Sequence, residues 1–80
     1  EITVSGTVRD VQATLIDGVS IRSKVSGREV GRTDSKGKYK VHVSAGDILV
    51  FEKKGYLKQE VPVNNHTSLN VKMTYGENAM

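Results

Sequence analysis

Thr33-Asp34-Ser35-Lys36-Gly37-Lys38-Tyr39-Lys40-Val41-His42-Val43 sets a tight turn directly against a strand of strict two-residue alternation. Asp34 can hydrogen-bond forward along its own backbone, and Gly37 can take the left-handed conformation that closes a three-residue loop with a bulge. Beyond the turn, Tyr39, Val41 and Val43 fall on one side and Lys38, Lys40 and His42 on the other. The pattern predicts a β-hairpin feeding a half-buried antiparallel sheet, and it contains no group suited to chemistry.

Working outward, Ile2, Val4 and Val8 alternate with Thr3, Ser5 and Thr7, and Gly6 interrupts the apolar row, which predicts a first strand bent or bulged at Gly6. Residues 10–18 break the alternation and read as a loop whose Ile16 tucks under the sheet. Val19, Ile21 and Val25 give a second strand ending at Ser26-Gly27, and Glu29 to Thr33 a short third. After a turn at Ser44-Ala45-Gly46-Asp47, the continuous run Ile48-Leu49-Val50-Phe51 suits a strand covered on both faces. Lys53-Lys54-Gly55 makes the next turn. Tyr56 to Val63 is a further strand with Leu57, Val61 and Val63 on one side and Pro62 near its end, where a missing N–H costs least. Asn64-Asn65-His66 supplies a turn in which Asn can be left-handed, and Leu69, Val71 and Met73 mark the last strand.

Seven short strands with turn signals between them, and no window of helical period, predict a two-sheet sandwich. A five-stranded oligonucleotide-binding barrel is the rival architecture at this size. The inward set is expected to be Val4, Val8, Val19, Ile21, Tyr39, Val41, Leu49, Phe51, Val61, Leu69 and Val71, with Ile48 and Val50 the alternative buried face of the fifth strand.

Composition narrows the class. Eighty residues make one domain, and a chain this short buries only about 60–65% of the surface its unfolded form exposes. With 36% hydrophobic residues, one Pro and eight Gly it reads as globular rather than disordered. The lack of cysteine removes disulfide staples and thiolate metal sites, and is as compatible with a periplasm or cell surface as with a cytosol. No apolar run approaches bilayer length, so direct membrane insertion is not expected. Glu1 leads straight into a strand pattern, which is expected of a chain whose targeting segment was removed or of a piece of a longer protein. The net charge of +3 comes from scattered lysines and arginines, not from one block, and nucleic acid binding is not indicated.

Taken in order, Gly6-Thr7-Val8, Asp10, Gly18-Val19, Thr33-Asp34 with Gly37 and Tyr39, Ala45-Gly46-Asp47, Leu49-Val50-Phe51, Gly55-Tyr56 and Gln59-Glu60-Val61-Pro62-Val63 resemble the carboxypeptidase-regulatory-like domain over residues 1 to 73. That resemblance implies a seven-stranded antiparallel Greek-key β-sandwich of the transthyretin or prealbumin-like kind, with residues 74–80 a linker or disordered tail. In the Bacteroidetes such domains commonly stand at the N-terminus of SusC-type TonB-dependent outer-membrane receptors that import glycans. The implied role is therefore a non-catalytic module of an envelope protein, in the periplasm or at the cell surface, whose partner is another protein or the remainder of its own parent chain. A surface adhesion or carbohydrate-contacting module, and the accessory domain of a carboxypeptidase, are the alternatives. The chain departs from the family's habit in two loops, with Ala13, Leu15 and Asp17 where Gly and Pro are usual, and with Lys53 and Lys54 before the Gly-Tyr pair. The acidic-hydrophobic segment that often precedes a receptor plug is absent from Thr74 to Met80.

Residues that could carry chemistry are few. His42 and His66 are the only imidazoles, and neither has a ligand-like neighbour on its own strand or turn, so no metal or cofactor is expected. The hydroxyisourate hydrolases that share a transthyretin-like fold need several histidines and a Tyr-Arg-Gly-Ser tail that this chain lacks. The first strand has no Lys to form the isopeptide bond of pilin-type sandwiches. Glu52 and Glu60 stand among lysines across a tight hairpin and read as solvated charges rather than a glycosidase pair. Lys36, Lys38 and Lys40, with Arg22, Lys24 or Lys58 nearby, form a basic stripe, and Lys36, Lys38, Lys40, Lys53, Lys54 and Lys58 are the candidate contacts for a partner. A carbohydrate site is not indicated, because no Trp and no spare aromatic platform is evident.

Overall fold

The computed structural model describes residues 1–76 and places them in seven strands: β1 (Ile2–Arg9), β2 (Ser20–Ser23), β3 (Glu29–Arg32), β4 (Lys38–Val43), β5 (Ile48–Glu52), β6 (Gln59–Pro62) and β7 (Val71–Lys72). They form two sheets, one ordered β4-β1-β7 and the other β3-β2-β5-β6, packed face to face as a sandwich. Four of the strand pairs are antiparallel, while β1 and β7 run parallel with Val8 opposite Val71. The parallel pair has a mechanical origin. The chain leaves β6 in one sheet and turns at Asn64 and Asn65, both with positive φ. It then runs back along β1, with Ser5 N donating to Thr67 O at 3.0 Å and Leu69 N to Ser5 O at 2.9 Å, before β7 begins.

Alternation along each strand puts the apolar row inward. Val4, Val8, Val19, Ile21, Tyr39, Val41, Leu49, Phe51 and Val71 are buried, as the pattern leads one to expect, and Ile16, Val43, Val63 and Met73 join them. Val61 and Leu69, expected in the centre, are only half-buried at its edge. The Phe51 and Tyr39 rings meet edge to face at 5.3 Å and 73° across the two sheets. β5 lies between β2 and β6 with Leu49 and Phe51 inward, and Val50 on its outer face is buried as well, between Arg22 and Glu60 on the neighbouring strands. That explains the unbroken apolar run.

Three local expectations are corrected. The turn before β4 forms as foreseen, with Gly37 at φ 70° and Asp34 Oδ1 accepting from the Lys36 and Lys38 amides. It does not, however, join a hairpin, because β3 and β4 belong to different sheets. The Gly37 carbonyl is taken by Val8 N of β1, so the strand after the turn is captured by the other sheet. Gly6 makes no bulge either; it pairs in regular register with Tyr39, and its missing Cβ is needed because that atom would stand 1.9 Å from the Leu69 carbonyl oxygen. Finally, β2 stops at Ser23 and leaves Val25 exposed. The buried Asp47 carboxylate accepts from Ser23 Oγ at 2.6 Å, and the Ser23 carbonyl is claimed by Gly27 N, so the backbone folds over at Lys24 instead of continuing.

Residues 74–80 were expected to be a tail beyond a domain ending at 73. Thr74, Tyr75 and Gly76 instead pack on the sandwich, through Leu57 N to Thr74 O at 2.9 Å, a bridge between Tyr56 and Tyr75, and Gly76 N to Gly55 O. The rest of that expectation, residues 77–80, lies outside the described residues.

Candidate functional site

The β5–β6 connection builds the most distinctive surface. Lys53-Lys54-Gly55 closes with Tyr56 N donating to Lys53 O at 3.0 Å, and Gly55 takes φ 94°, which only glycine adopts without strain. The turn presents Lys53, Lys54 and Lys58 around a shallow groove of about 410 Å³, floored by the outward residues Ser20, Arg22 and Glu52 and walled by Tyr56. Arg22 is held by Glu52 at 3.4 Å, and one strand pair further along Lys24 binds Glu60 at 2.9 Å. Both carboxylates therefore sit on one outer face, each neutralised by its own cation. Lys24, with a smaller contribution from Lys58, keeps the Glu60 carboxyl below the usual glutamate range.

Beside the groove, the Tyr56 and Tyr75 rings stack at 5.0 Å and 25°, and Leu57 and Tyr75 are each about half exposed, at 51% and 49%. Tyr75 is fixed from behind. Its hydroxyl donates to Asp10 Oδ2 at 2.8 Å, while Asp10 Oδ1 accepts from the amides of Gln12 and Thr14. The Tyr75 hydrogen bond, then the backbone donors, hold the Asp10 carboxyl below its ordinary 3.8, and bonding to Asp10 pushes the Tyr75 phenol up to about 12.

The six candidate lysines do not form one surface. Lys38 and Lys40 project from the outer face of β4, in the sheet opposite the groove, and Lys36 sits on the turn between the sheets. Lys53, Lys54 and Lys58 gather on the other sheet together with Arg22, so the expected association of Arg22 and Lys58 with the β4 stripe fails. His42 meets Thr3 Oγ1 at 3.0 Å and His66 meets the Val63 carbonyl at 3.0 Å, each on its own part of the surface. Among the described residues no group of three or more His, Asp or Glu gathers to hold a metal ion.

The stacked tyrosines were missed because residues after Met73 were read as tail. A signal was present: Tyr75 continues the two-residue alternation of Val71 and Met73. The arrangement assembles charge and apolar area in an open groove. It does not set an acid beside a base in an enclosed cleft.

No protein-family model matches the chain. It is 34% identical over 68 residues to the TonB-dependent receptor P26 of Formosa agariphila, a match that takes in 85% of this chain and 7% of that receptor. The chain thus spans a small fraction of that relative's length. Among solved structures it is similar to the C-terminal domain of the PapC usher, with a TM-score of 0.62, 22% identity and coverage of 90% of this chain and 98% of that one. A chain in a type II cohesin–X–dockerin complex of Acetivibrio cellulolyticus superposes with a TM-score of 0.74 at 23% identity, covering 96% of this chain and 60% of its own. These likenesses establish a β-sandwich fold.

Proposed function

We propose that this chain is a non-catalytic β-sandwich module of a bacterial envelope protein, serving as the N-terminal periplasmic extension of a TonB-dependent nutrient receptor and acting through contact or positioning. The observation that carries the reading is the 34% identity to the TonB-dependent receptor P26 across nearly the whole domain. The ordered turn residues that resemble the carboxypeptidase-regulatory-like domain support the same assignment. The surface agrees with it, since the conspicuous feature is an open basic groove walled by Tyr56, on which the half-exposed Tyr75 stacks, suited to a partner and not to a reaction.

The test is a deletion of residues 1–76 from the parent receptor with its signal and plug kept. Ligand affinity should stay near the intact level, while uptake or receptor assembly falls. The isolated domain, titrated calorimetrically with neutral oligosaccharides, should give no site of micromolar affinity; finding one would move the reading to carbohydrate recognition.

A further inference from the structure

We infer that the groove at the β5–β6 turn is a docking site for an acidic polypeptide segment that carries an aliphatic or aromatic residue, an assignment resting on the contact-module reading above. Charge is the first argument. The groove holds four cations, Arg22, Lys53, Lys54 and Lys58, against one carboxylate, Glu52, and that carboxylate is already bound to Arg22. Among the described residues no carboxylate pairs with Lys53, Lys54 or Lys58. The excess of three positive charges equals the net charge of the whole chain.

The kind of cation selects the kind of anion. Phosphate and sulfate are recognised best by a bidentate guanidinium, and the one guanidinium in this groove is engaged by Glu52. What remains are ammonium groups on flexible stems, point charges that suit carboxylates spread along an adaptable chain. Sugar recognition needs amide or free carboxylate side chains to pair ring hydroxyls, and the lining contains no Asn, Gln or Asp, while its one carboxylate, Glu52, is already engaged by Arg22. The apolar edge completes the match, because Leu57 and the exposed side of Tyr75 adjoin Tyr56 and offer a seat for one apolar side chain.

A fluorescently labelled Glu- and Asp-rich peptide with a central Leu provides the probe, its anisotropy followed as the domain is titrated. It should bind, weaken as salt is raised, and lose affinity when the Leu is replaced by Ser. Lys53→Ser/Lys54→Ser/Lys58→Ser should bind about tenfold more weakly, whereas Lys38→Ser/Lys40→Ser on the opposite sheet should stay within about twofold. Lys54→Glu, at the exposed turn, gives the same direction of change should the triple variant fail to fold. Equal losses on the two faces, an indifferent Leu replacement, or tighter binding of polygalacturonate or a thymidine oligonucleotide would overturn the assignment. A parent deletion without phenotype would leave the peptide affinity standing, and a silent peptide would leave the deletion phenotype standing, so the two readings fall separately.

Discussion

Tyr75 donates its hydroxyl to Asp10 at 2.8 Å, joining the loop after β1 to the last described segment of the chain across 65 residues of sequence. One bond thereby fixes three things. It completes the coordination of a carboxylate that is 4% exposed, holds Tyr75 flat against Tyr56, and pins Thr74–Gly76 along the β5–β6 connection.

Acid sensitivity should report that bond. A carboxyl whose folded pKa lies below its unfolded value contributes stability that is present above the unfolded value and lost as pH falls through the folded one. For Asp10 that window lies below about pH 3.8, with Tyr75 the largest cause of the depression. Tyr75→Phe keeps the ring stack but removes the donor, so its melting temperature should fall at pH 6, and its acid unfolding should begin at higher pH than in the wild type. Asp34, lowered by the Lys38 and Lys36 amides, Glu29, lowered by Ser20 and Arg32, and Glu60, lowered by Lys24, are untouched by the change and together contribute the residual acid limb. Circular dichroism melts between pH 2 and 7 decide the matter, and coincident acid limbs for the two proteins would mean the bond is not made in solution.

The glycines should rank by what a Cβ would meet. Gly6→Ala drives that atom to 1.9 Å from the Leu69 carbonyl and must part β1 from the segment entering β7, a cost of about 3 kcal/mol or more. Gly37→Ala meets Val8 O at 2.8 Å in a left-handed backbone, so about 2 kcal/mol is expected from strain and contact together. Gly46→Ala faces open space without positive φ and should be neutral or stabilise by up to about 1 kcal/mol. Urea unfolding of the three variants gives the order, and a Gly46→Ala as damaging as Gly6→Ala would contradict the packing.

The register of β5 is open to a direct check. Phe51 is fully buried and meets Tyr39, so Phe51→Ala should cost about 3–5 kcal/mol. Val50 lies on the outer face of the sheet between its cross-strand neighbours Arg22 and Glu60, whose exposed side chains can close over a shortened residue. Val50→Ala should therefore cost clearly less. A reversed order in denaturant titrations would put the other face of the strand inward.

Much of the sandwich was legible because alternation is a local signal: Tyr39, Val41 and Val43 declare their face without reference to any other strand. Turn chemistry was equally plain at Gly37 and Asn64, where the residue types state the backbone they adopt. What could not be read locally was partnership. Whether the strand after Gly37 returns to β3 or crosses to β1 depends on Val8 N reaching the Gly37 carbonyl, 29 positions away in the chain. The groove was hidden for the same reason. Lys53, Lys54 and Lys58 were visible as charges, but their grouping with Arg22 and Tyr56, and their separation from Lys38 and Lys40, follow only from which sheet each strand joins.

Ala13 offers a stabilising change. It holds φ 65° in the loop where the Asp10 carboxylate gathers the Gln12 and Thr14 amides, a conformation that costs an L-residue roughly 1 kcal/mol. Ala13→Gly relieves that strain and returns part of it as extra freedom of the unfolded chain, leaving a net gain of about 0.5 kcal/mol. A small rise in melting temperature with unchanged Asp10 contacts is the expected result, and a loss of stability would show that the loop is not left-handed at this position.

At alkaline pH the sign reverses. Burial pushes the Tyr39 phenol up to about 12 from an ordinary 10.0, and its hydroxyl donates to the Leu69 carbonyl over Gly6. A phenol whose folded pKa is raised stays protonated longer in the folded state than in the unfolded one. Its contribution is therefore complete below pH 10 and is lost progressively as pH climbs toward 12, when the ionised oxygen can no longer donate and must be buried beside a carbonyl. Tyr75, raised by Asp10, titrates in the same window. Tyr39→Phe should be less stable at neutral pH by about 1 kcal/mol, the worth of one hydrogen bond, yet should lose less of its remaining stability between pH 9.5 and 12 than the wild type does. Tyr39→Phe/Tyr75→Phe should flatten that limb further. Denaturant midpoints measured across the alkaline range provide the comparison, and parallel limbs for wild type and both variants would remove the buried phenol as the group responsible.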